Sequence, residues 1–386
     1  MRLPCLPSRK AHRKPSSADI YHCEIIADVP VPGREEPVRF FSRKLIRPAR
    51  LRRFSNRDLR ECLLLGFYLG VAAVLPVKWW APICDKVSRI RLKRHMRKDF
   101  ARYAAAVRAV LGSDIDAQAL FLGLLAAGHR RRLMVAAHLC GTGWSPLIRL
   151  EGTQGLQTAL RRGRGAIIWC DQFTAQTIIG KRALHESGID AHQVSINFHG
   201  TTNTTFGLRF LNPALVRVEN RFLKSRIVFD RNDTYQVTAR VQKILKNNGI
   251  VLMTNTIQAG STFAEAAMGE SGWTHLASAP ANFAARAGTA LFAMSTFETI
   301  PFCEYRAVIS PELAPAGRQP SAAETQTMDA KNMALLADYI LLKRDRLLEA
   351  LKLYPEQMMS WSGKERLTER QDGASPGHDA GSGLAQ

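Results

Sequence analysis

Between Leu150 and Leu353, segments with two different spacings of apolar residues follow one another in turn. Short apolar runs typical of buried strands are separated by longer stretches with the 3.6-residue period of a helix. The predicted strands are residues 165–170, 193–198, 250–253, 290–296 and 303–309, and the predicted helices are 154–162, 174–187, 235–246, 279–287 and 328–353. Strands and helices in this order predict an α/β fold with a mixed, mostly parallel sheet flanked by helices.

One uncharged apolar run precedes this pattern. Residues 62–77 (CLLLGFYLGVAAVLPV) carry no charge, and a tryptophan pair follows. A helix that crosses a bilayer needs roughly 20 apolar residues, and extending the run as far as residue 84 must include Pro76 and Lys78. We therefore predict an N-terminal membrane-associated helix within 62–84. It either crosses the bilayer or lies on one leaflet, and a buried core helix is the alternative.

The charge balance adds an anionic partner to this picture. The 386 residues include 54 Lys and Arg against 33 Asp and Glu, which is a formal net charge of +21. Such an excess favours binding to a phospholipid surface, an acidic substrate or nucleic acid. Aromatic residues make up 8% of the chain and are not interleaved with the basic runs as base-stacking platforms are, so nucleic acid is not the partner that we expect.

Composition divides the chain into four parts. Residues 1–60 are rich in Lys, Arg and Pro and are predicted to form a basic disordered arm. The predicted membrane anchor and a strongly cationic helix occupy 61–112, the α/β domain occupies 113–355, and a flexible tail occupies 356–386. No cleavable signal peptide is evident, so the α/β domain is expected on the cytoplasmic side.

Resident cofactors are not expected. The seven cysteines include no C-x-x-C pair, so neither a disulfide framework nor a structural metal site is predicted. Neither a G-x-G-x-x-G motif nor a phosphate-binding G-x-x-x-x-G-K-[ST] motif occurs, which leaves no sign of a nucleotide cofactor.

Three blocks of the chain resemble one known family. Residues 150–173, 217–229 and 249–294 are similar in order and spacing to the late-acting lipid A acyltransferases of the lauroyl/myristoyl type, within the lysophospholipid acyltransferase superfamily. The resemblance covers roughly residues 60–355. It implies an inner-membrane protein with its α/β body on the cytoplasmic side. The implied reaction moves a fatty acyl chain from acyl carrier protein or CoA to a hydroxyl of a glycolipid or related lipid, and the implied partners are acyl carrier protein and anionic membrane lipid.

The resemblance also locates the family's catalytic pair. In that family a His takes the proton of the acceptor hydroxyl, and a carboxylate five residues later orients the ring. Gln172 and Thr177 stand at these two positions here, and neither side chain can replace the residue of the family. His199 and Asn255 stand near the family's next two charged positions. The register therefore implies either an altered mechanism or a catalytically inactive paralogue that binds lipid or acyl carrier protein.

Two other sets of residues could supply the chemistry. Asp171 lies beside Gln172 at the predicted exit of a strand, where a carboxylate is often functional, and the alternative is an N-cap of the next helix. His185 and Asp190 form a literal His-x4-Asp pair, although one such match is expected by chance and the pair extends past the end of the predicted helix. Cys170 is a further candidate nucleophile, with an inert buried thiol as the alternative.

The remaining candidates concern binding. A basic run at 129–132 (HRRR) could dock acyl carrier protein or a lipid phosphate, or could form a solvated face. The predicted substrate-binding residues are Arg164, His199, Asn255, Gly260 and Ser261.

Overall fold

The structure is a computed structural model that describes residues 21–31, 36–48, 51–229, 234–255, 260–315 and 328–361. Ten α-helices and two sheets occur within these residues. The first part of the predicted basic arm and most of the predicted flexible tail lie outside the described residues.

The first four helices form a layer of their own. They are α1 (Asn56–Val74), α2 (Trp80–His95), α3 (Ala101–Leu111) and α4 (Ala117–Cys140). α1 begins with a capping box, in which the Ser55 side chain accepts from the Asp58 backbone N–H and the Asp58 carboxylate accepts from the Ser55 N–H. A π-helical turn over Met96–Phe100 connects α2 to α3, so the cationic stretch is helical as predicted.

The uncharged run at 62–77 is divided between α1 and a turn. α1 ends before Pro76, which has no backbone N–H and disfavours a helical conformation of the residue before it. A 3₁₀ turn over Val77–Trp79 then leads into α2, so a single helix over 62–84 does not form. Among the described residues, no helix is long and apolar enough to cross a membrane. One side of α1, including Tyr68 and Val71, is buried against α4, as the core-helix alternative expects.

The main sheet has the predicted architecture. Its seven strands are β3 (Leu147–Glu151), β4 (Ala166–Cys170), β5 (Ala191–Ile196), β6 (Ser225–Phe229), β7 (Ile250–Thr254), β10 (Ala290–Ile300) and β11 (Glu304–Ile309), in the order β3-β11-β10-β4-β7-β5-β6. Only the β10–β11 pair is antiparallel. The fold is therefore α/β with a mixed, mostly parallel sheet, and β4 at its centre is buried at every residue.

Helices cover this sheet. They are α5 (Thr153–Arg161), α6 (Lys181–Glu186), α7 (Asn212–Asn220), α8 (Thr234–Lys246), α9 (Ala279–Ala287) and α10 (Met328–Leu353). The predicted helix 174–187 is partly α6 and partly a π-helical turn over Gln176–Gly180. One core cluster joins the sheet to α8, α9 and α10, and another joins α1 and α4 to the π-helical turn and α7.

A second sheet corrects the prediction of a disordered arm. β1 (Tyr21–Pro30) and β2 (Val38–Pro48) pair with the hairpin of β8 (Thr262–Met268) and β9 (Gly272–Ala277), in the order β1-β2-β8-β9. Every neighbouring pair in it is antiparallel. Val38 and Phe41 of β2 are buried, and Phe41 stacks on Phe263 at 5.1 Å. The described part of residues 1–60 is therefore folded, because apolar residues between the basic ones pair with a distant hairpin.

The start of the predicted tail is also packed. Residues Pro355–Gln357 form a 3₁₀ turn after α10, and Met358 forms an isolated antiparallel bridge with Phe173. The buried Gln357 side chain donates to the backbone oxygen of Glu298 and accepts from its N–H, both at 2.8 Å. Within 356–361 the chain is therefore held against the strand exits of the main sheet.

Candidate functional site

The carboxyl ends of four parallel strands meet at one edge of the main sheet. β10, β4, β7 and β5 are neighbours and run in the same direction. Asp171 and Gln172 follow β4, Asn255 follows β7, and His199 lies three residues after β5. Functional groups of α/β sheets are usually found at this edge. Arg164 precedes β4 and therefore lies at the opposite edge, where its side chain pairs with Glu312 at 2.9 Å.

Asp171 is engaged in a buried ion pair. Its carboxylate contacts the Lys343 ammonium at 2.5 Å and accepts from the Ser295 hydroxyl at 2.7 Å. Both ionic side chains are fully inaccessible to solvent. The Lys343 ammonium also donates to the backbone oxygen of Trp169. These contacts give Asp171 a role in joining β4 to α10, and the carboxylate neither reaches solvent nor caps the following helix.

Of the two family-register positions, Gln172 lies under the C-terminal segment. The Met359 N–H donates to the Gln172 backbone oxygen at 2.9 Å, and the Thr174 N–H donates to the Gln357 backbone oxygen at 2.9 Å. Gln172 and Thr177 are half-buried. Neither a His nor a carboxylate occupies these positions, so the family's pair is not rebuilt here in register.

The alternative pair is not brought together. The Asp190 carboxylate lies 3.4 Å from the Lys224 ammonium and is mostly exposed. His185 is exposed on α6, and its ring packs edge-on against Phe222. A His and a carboxylate that contact different partners cannot act as a base and its orienting group.

Other predicted residues have structural contacts. The Asn255 side chain accepts from the Ala277 N–H at 3.1 Å and thereby joins β7 to β9. Gly260 and Ser261 accept hydrogen bonds from Arg43 of β2 through their backbone oxygens. Cys170 is buried, and burial raises the pKa of its thiol to about 12, which is the behaviour of an inert thiol.

His199 does contact a carboxylate, and sequence analysis missed this partner. Its Nε2 lies 2.7 Å from Oε1 of Glu219 in α7. Because a carboxylate can only accept, Nε2 carries the proton and Nδ1 is the basic nitrogen of the ring. Glu219 also binds the Lys181 ammonium at 2.7 Å and the Arg226 guanidinium at 2.5 Å. Its only sequence signal is an acidic residue in the 217–229 block, which does not reveal the partner.

Glu219 is ionised in these surroundings. Its side chain is fully buried, which by itself would raise the pKa of the carboxyl. The ammonium of Lys181 and the ring of His199 outweigh burial and hold the pKa well below its usual range. An ionised, fixed carboxylate beneath a half-exposed imidazole is the arrangement of a general base with its orienting group.

A basic cleft lies beside this pair, between α1, α4 and α7. Two residues after His199, Thr201 lines it, and the charged lining is Glu61, Arg131 and Arg132. The rest of the lining is apolar and consists of Leu65, Val135, Leu211, Ala214 and Leu215. The cleft is small, with a volume of about 40 Å³, and it has charged groups at one place and apolar walls elsewhere.

The arginines of the cleft differ in their partners. Arg132 binds both oxygens of the buried Glu61, at 2.9 and 3.1 Å. The described hydrogen bond of Arg131 is to the Met359 sulfur, a weak acceptor, at 3.2 Å. Burial and the adjacent Arg132 lower the pKa of Arg131 to about 10. An anion placed at Arg131 would relieve this repulsion.

The basic run at 129–132 does not form a solvated face, which was one of the two alternatives predicted from the sequence. His129 and Arg130 are buried. His129 contacts the Tyr68 hydroxyl at 2.8 Å, and Arg130 binds the Glu298 carboxylate. Only the second half of the run faces the cleft.

The outward face of α1 is apolar. Leu59, Leu63, Phe67 and Val74 are spaced by one or two turns, and 46–77% of each residue's surface is exposed. Gly66, Gly70 and Ala73 are the other exposed residues of this face from Leu63 onward. A helix with one face in the protein core and one exposed apolar face is typical of an interfacial helix.

Comparisons with models of known families and with curated proteins find no match for this chain.

Proposed function

We propose that this protein is a membrane-associated acyltransferase. It would transfer a fatty acyl chain from acyl carrier protein or CoA to a hydroxyl of a glycolipid or related lipid at the cytoplasmic face of the inner membrane. The observation that carries the proposal is the contact between His199 and the buried Glu219 at the sheet edge, beside a small cleft lined by arginine and apolar side chains.

Lipid binding is the first step of the argument. The Arg131 guanidinium lacks a carboxylate among its described hydrogen-bond partners, and it lies beside the charged Arg132 and Glu61 at one end of a lining that is otherwise mostly apolar. A phosphate or carboxylate head would bind there, and the cleft would have to open from its volume of about 40 Å³ to admit an acyl chain along Leu65 and Val135. Leu65 of this cleft belongs to α1, on the side of the helix away from its exposed apolar face.

Membrane attachment is the second step. The apolar face of α1 would lie at the boundary between headgroups and acyl chains, with Trp79 at headgroup depth. Lys86, Arg89, Lys93 and Arg97 are exposed along one side of the continuous α2–α3 helix. This basic stripe suits anionic lipid headgroups or the acidic surface of an acyl carrier protein.

The chemistry follows from the His199–Glu219 pair. Nδ1 of His199 would take the proton of the acceptor hydroxyl, and the oxygen would attack the thioester carbonyl carbon. Collapse of the tetrahedral intermediate would break the C–S bond, and the ring would return its proton to the leaving thiolate. Glu219 would keep the ring in one tautomer and stabilise the imidazolium.

A second candidate function is a catalytically inactive lipid-binding paralogue. The observation in its favour is the C-terminal segment, which lies across Gln172 where the family has its base. The basic cleft and the apolar face of α1 would serve this function equally well.

Mass spectrometry of lipid extracts separates the two functions. Cells without the gene are complemented with wild type, His199→Ala or the matched control His185→Ala, which removes an exposed ring from α6. We expect one lipid species to lack a single acyl chain in the deletion strain. Wild type and the control should restore that chain. His199→Ala should fail, because loss of a general base costs about 100- to 10,000-fold in rate. An unchanged lipid profile in the deletion strain would favour the inactive paralogue, and restoration by His199→Ala would refute the proposed base.

A binding assay tests the part that both functions share. The purified full chain is sedimented with vesicles of phosphatidylglycerol or of phosphatidylcholine. We expect stronger binding to the anionic vesicles and a loss of binding on Leu63→Asp together with Phe67→Asp. Equal binding of this double variant would refute the role of the α1 face.

A further inference from the structure

Three phenylalanine rings meet at the protein surface where α1 begins. Phe54 lies two residues before the first residue of α1, and Phe206 and Phe210 belong to the chain after β5, which ends in a π-helical turn over Gly207–Leu211. The Phe206 ring lies 5.1 Å from the Phe54 ring and 5.0 Å from the Phe210 ring. Phe54 is 50% exposed and Phe210 is 57% exposed, whereas Phe206 between them is half-buried. These three residues form the ring cluster.

Buried contacts hold the ring cluster from beneath. Two backbone hydrogen bonds of 2.9 and 3.1 Å join residues 52–53 to residues 205–206. The Thr204 hydroxyl donates to the buried Asp58 carboxylate at 2.7 Å and accepts from the Gly207 N–H at 2.9 Å. A Cβ on residue 207 would lie 1.6 Å from a neighbouring hydroxyl oxygen, so this close packing requires glycine. The loop is therefore fixed, and the rings stay at the surface.

The surface around the ring cluster is cationic. Three exposed arginines flank the rings, namely Arg52, Arg53 and Arg209. The Arg209 guanidinium lies 5.5 Å from the centre of the Phe210 ring. Residues 51–57 and 199–212 contain no Asp or Glu, and the next acid along the chain, Asp58, is buried. An anionic surface that approaches the rings would therefore meet three cations and no carboxylate from these two segments.

Exposed rings among arginines fit a bilayer surface with anionic lipids. Aromatic side chains are enriched where headgroups meet acyl chains, and arginine reaches from that depth to the lipid phosphates. The apolar face of α1 starts close by, since Leu59 lies in the first turns of the helix and is 52% exposed. A long apolar surface with a cationic border is typical of membrane attachment.

We propose that the ring cluster inserts into an anionic bilayer as a second point of attachment beside the apolar face of α1. Phe54 and Phe210 would lie at the boundary between headgroups and acyl chains, and the three arginines would bind lipid phosphates. This inference rests on the proposed membrane attachment and adds to it the side from which a lipid reaches the site.

The loop of the ring cluster also carries residues of the candidate site. His199 precedes Phe206 by seven residues, so the two lie within about 25 Å even along an extended chain. Leu211, next to Phe210, lines the basic cleft. An acceptor lipid held in the bilayer would therefore approach His199 past the rings.

Sedimentation of the purified full chain with phosphatidylglycerol vesicles tests the ring cluster. Phe54→Ala together with Phe210→Ala should weaken binding at least about tenfold, which equals about 1.4 kcal/mol, because less apolar surface leaves water. The matched control Tyr235→Ala removes an 84% exposed ring from α8 and should bind as wild type does. Arg209→Gln should weaken binding to these vesicles about fivefold and leave binding to phosphatidylcholine vesicles unchanged. Wild-type affinity of the double variant would overturn the proposal.

Chemical labelling of the wild-type chain gives a readout that does not depend on the folding of a variant. Phosphatidylglycerol vesicles should slow the reaction of phenylglyoxal with Arg52, Arg53 and Arg209. The reaction of Arg161, which is exposed at the end of α5, should keep its rate. Equal rates at the three arginines with and without vesicles would overturn the proposal.

The outcomes separate this inference from the proposed function. If Leu63→Asp with Phe67→Asp loses binding and Phe54→Ala with Phe210→Ala does not, the role of the α1 face stands and the ring cluster is no attachment point. Sedimentation velocity without vesicles tests for a second copy as the occupant. A wild-type dimer that Phe54→Ala with Phe210→Ala dissociates would overturn the proposal.

Discussion

Replacement of Asp171 by Asn tests whether this residue supports the fold instead of the chemistry. The change removes the negative charge 2.5 Å from the Lys343 ammonium, and both side chains are fully buried. The Lys343 ammonium can then still donate to the Trp169 backbone oxygen and to the amide oxygen of the new Asn side chain, but no negative charge balances it. Breaking a buried ion pair in this way costs about 3–5 kcal/mol of unfolding free energy.

Equilibrium denaturation followed by circular dichroism measures the loss. The matched control is Asp190→Asn, since the exposed Asp190–Lys224 pair contributes only about 0–1 kcal/mol. A second comparison is the double change Asp171→Asn with Lys343→Met, which removes both charges and should recover much of the loss.

The reasoning would be refuted by a stable variant without function. The free energy of unfolding of Asp171→Asn could lie within about 1 kcal/mol of the wild-type value while acyl transfer is abolished. In that case the carboxylate acts on the substrate, as the sequence-based hypothesis of a functional Asp171 states. If the double variant is no more stable than Asp171→Asn alone, the loss does not arise from an unpaired Lys343.

Three further predictions concern other contacts. Gly269→Ala should lower the free energy of unfolding by at least about 2 kcal/mol, because the φ of Gly269 is +72° and a Cβ would lie 1.9 Å from a backbone oxygen of α3. Its control is Gly141→Ala, since Gly141 is also left-handed but has open space around it. This control should lose only about 1 kcal/mol in the same denaturation assay. Burial opposes ionisation of Glu61, but Arg132 lowers its pKa to about 2. The ionised Glu61 therefore contributes about 3 kcal/mol to the free energy of unfolding above pH 4.5, and this contribution is lost as the pH falls to 2. Glu61→Gln should therefore cost about 3 kcal/mol at pH 7 and much less at pH 2, and an equal cost at both pH values would contradict this. Gln357→Ala should lower the free energy of unfolding by about 1–3 kcal/mol, since it leaves two buried backbone groups unpaired, and an unchanged thermal midpoint would argue against a fixed C-terminal segment.

Local patterns predicted the elements whose residues are buried continuously or along a regular stripe. The boundaries of α9 and α10 agree with the predicted 279–287 and 328–353, and β7 differs from the prediction by one residue. The prediction missed β1, β2, β8 and β9, which form the second sheet. Their residues alternate basic or polar side chains with apolar ones. The two hairpins β1–β2 and β8–β9 form one sheet because β2 pairs with β8 across 228 residues of chain, as Val38 does with Ala266.

At the candidate site, too, the sequence predicted local features but not the contacts between distant residues. Sequence alone indicated the strand exit at Asp171, the candidate His199, and an altered catalytic register. It could not show that Asp171 is neutralised by Lys343, 172 residues away, or that His199 meets Glu219 from a later helix. A charge pair depends on which side chains the packed helices bring within a few ångströms, and no local period records that distance.

The sequence by itself therefore determined the alternation of strands and helices, the basic character, and the apolar run near the N-terminus. Backbone period and side-chain polarity are local properties, so a single chain segment expresses them. Only the tertiary structure decided that the apolar run turns at Pro76 with one face of α1 buried and the other exposed, and which charged groups face the cleft. Burial and ion pairing are properties of surfaces that meet, and those surfaces come from distant parts of the chain.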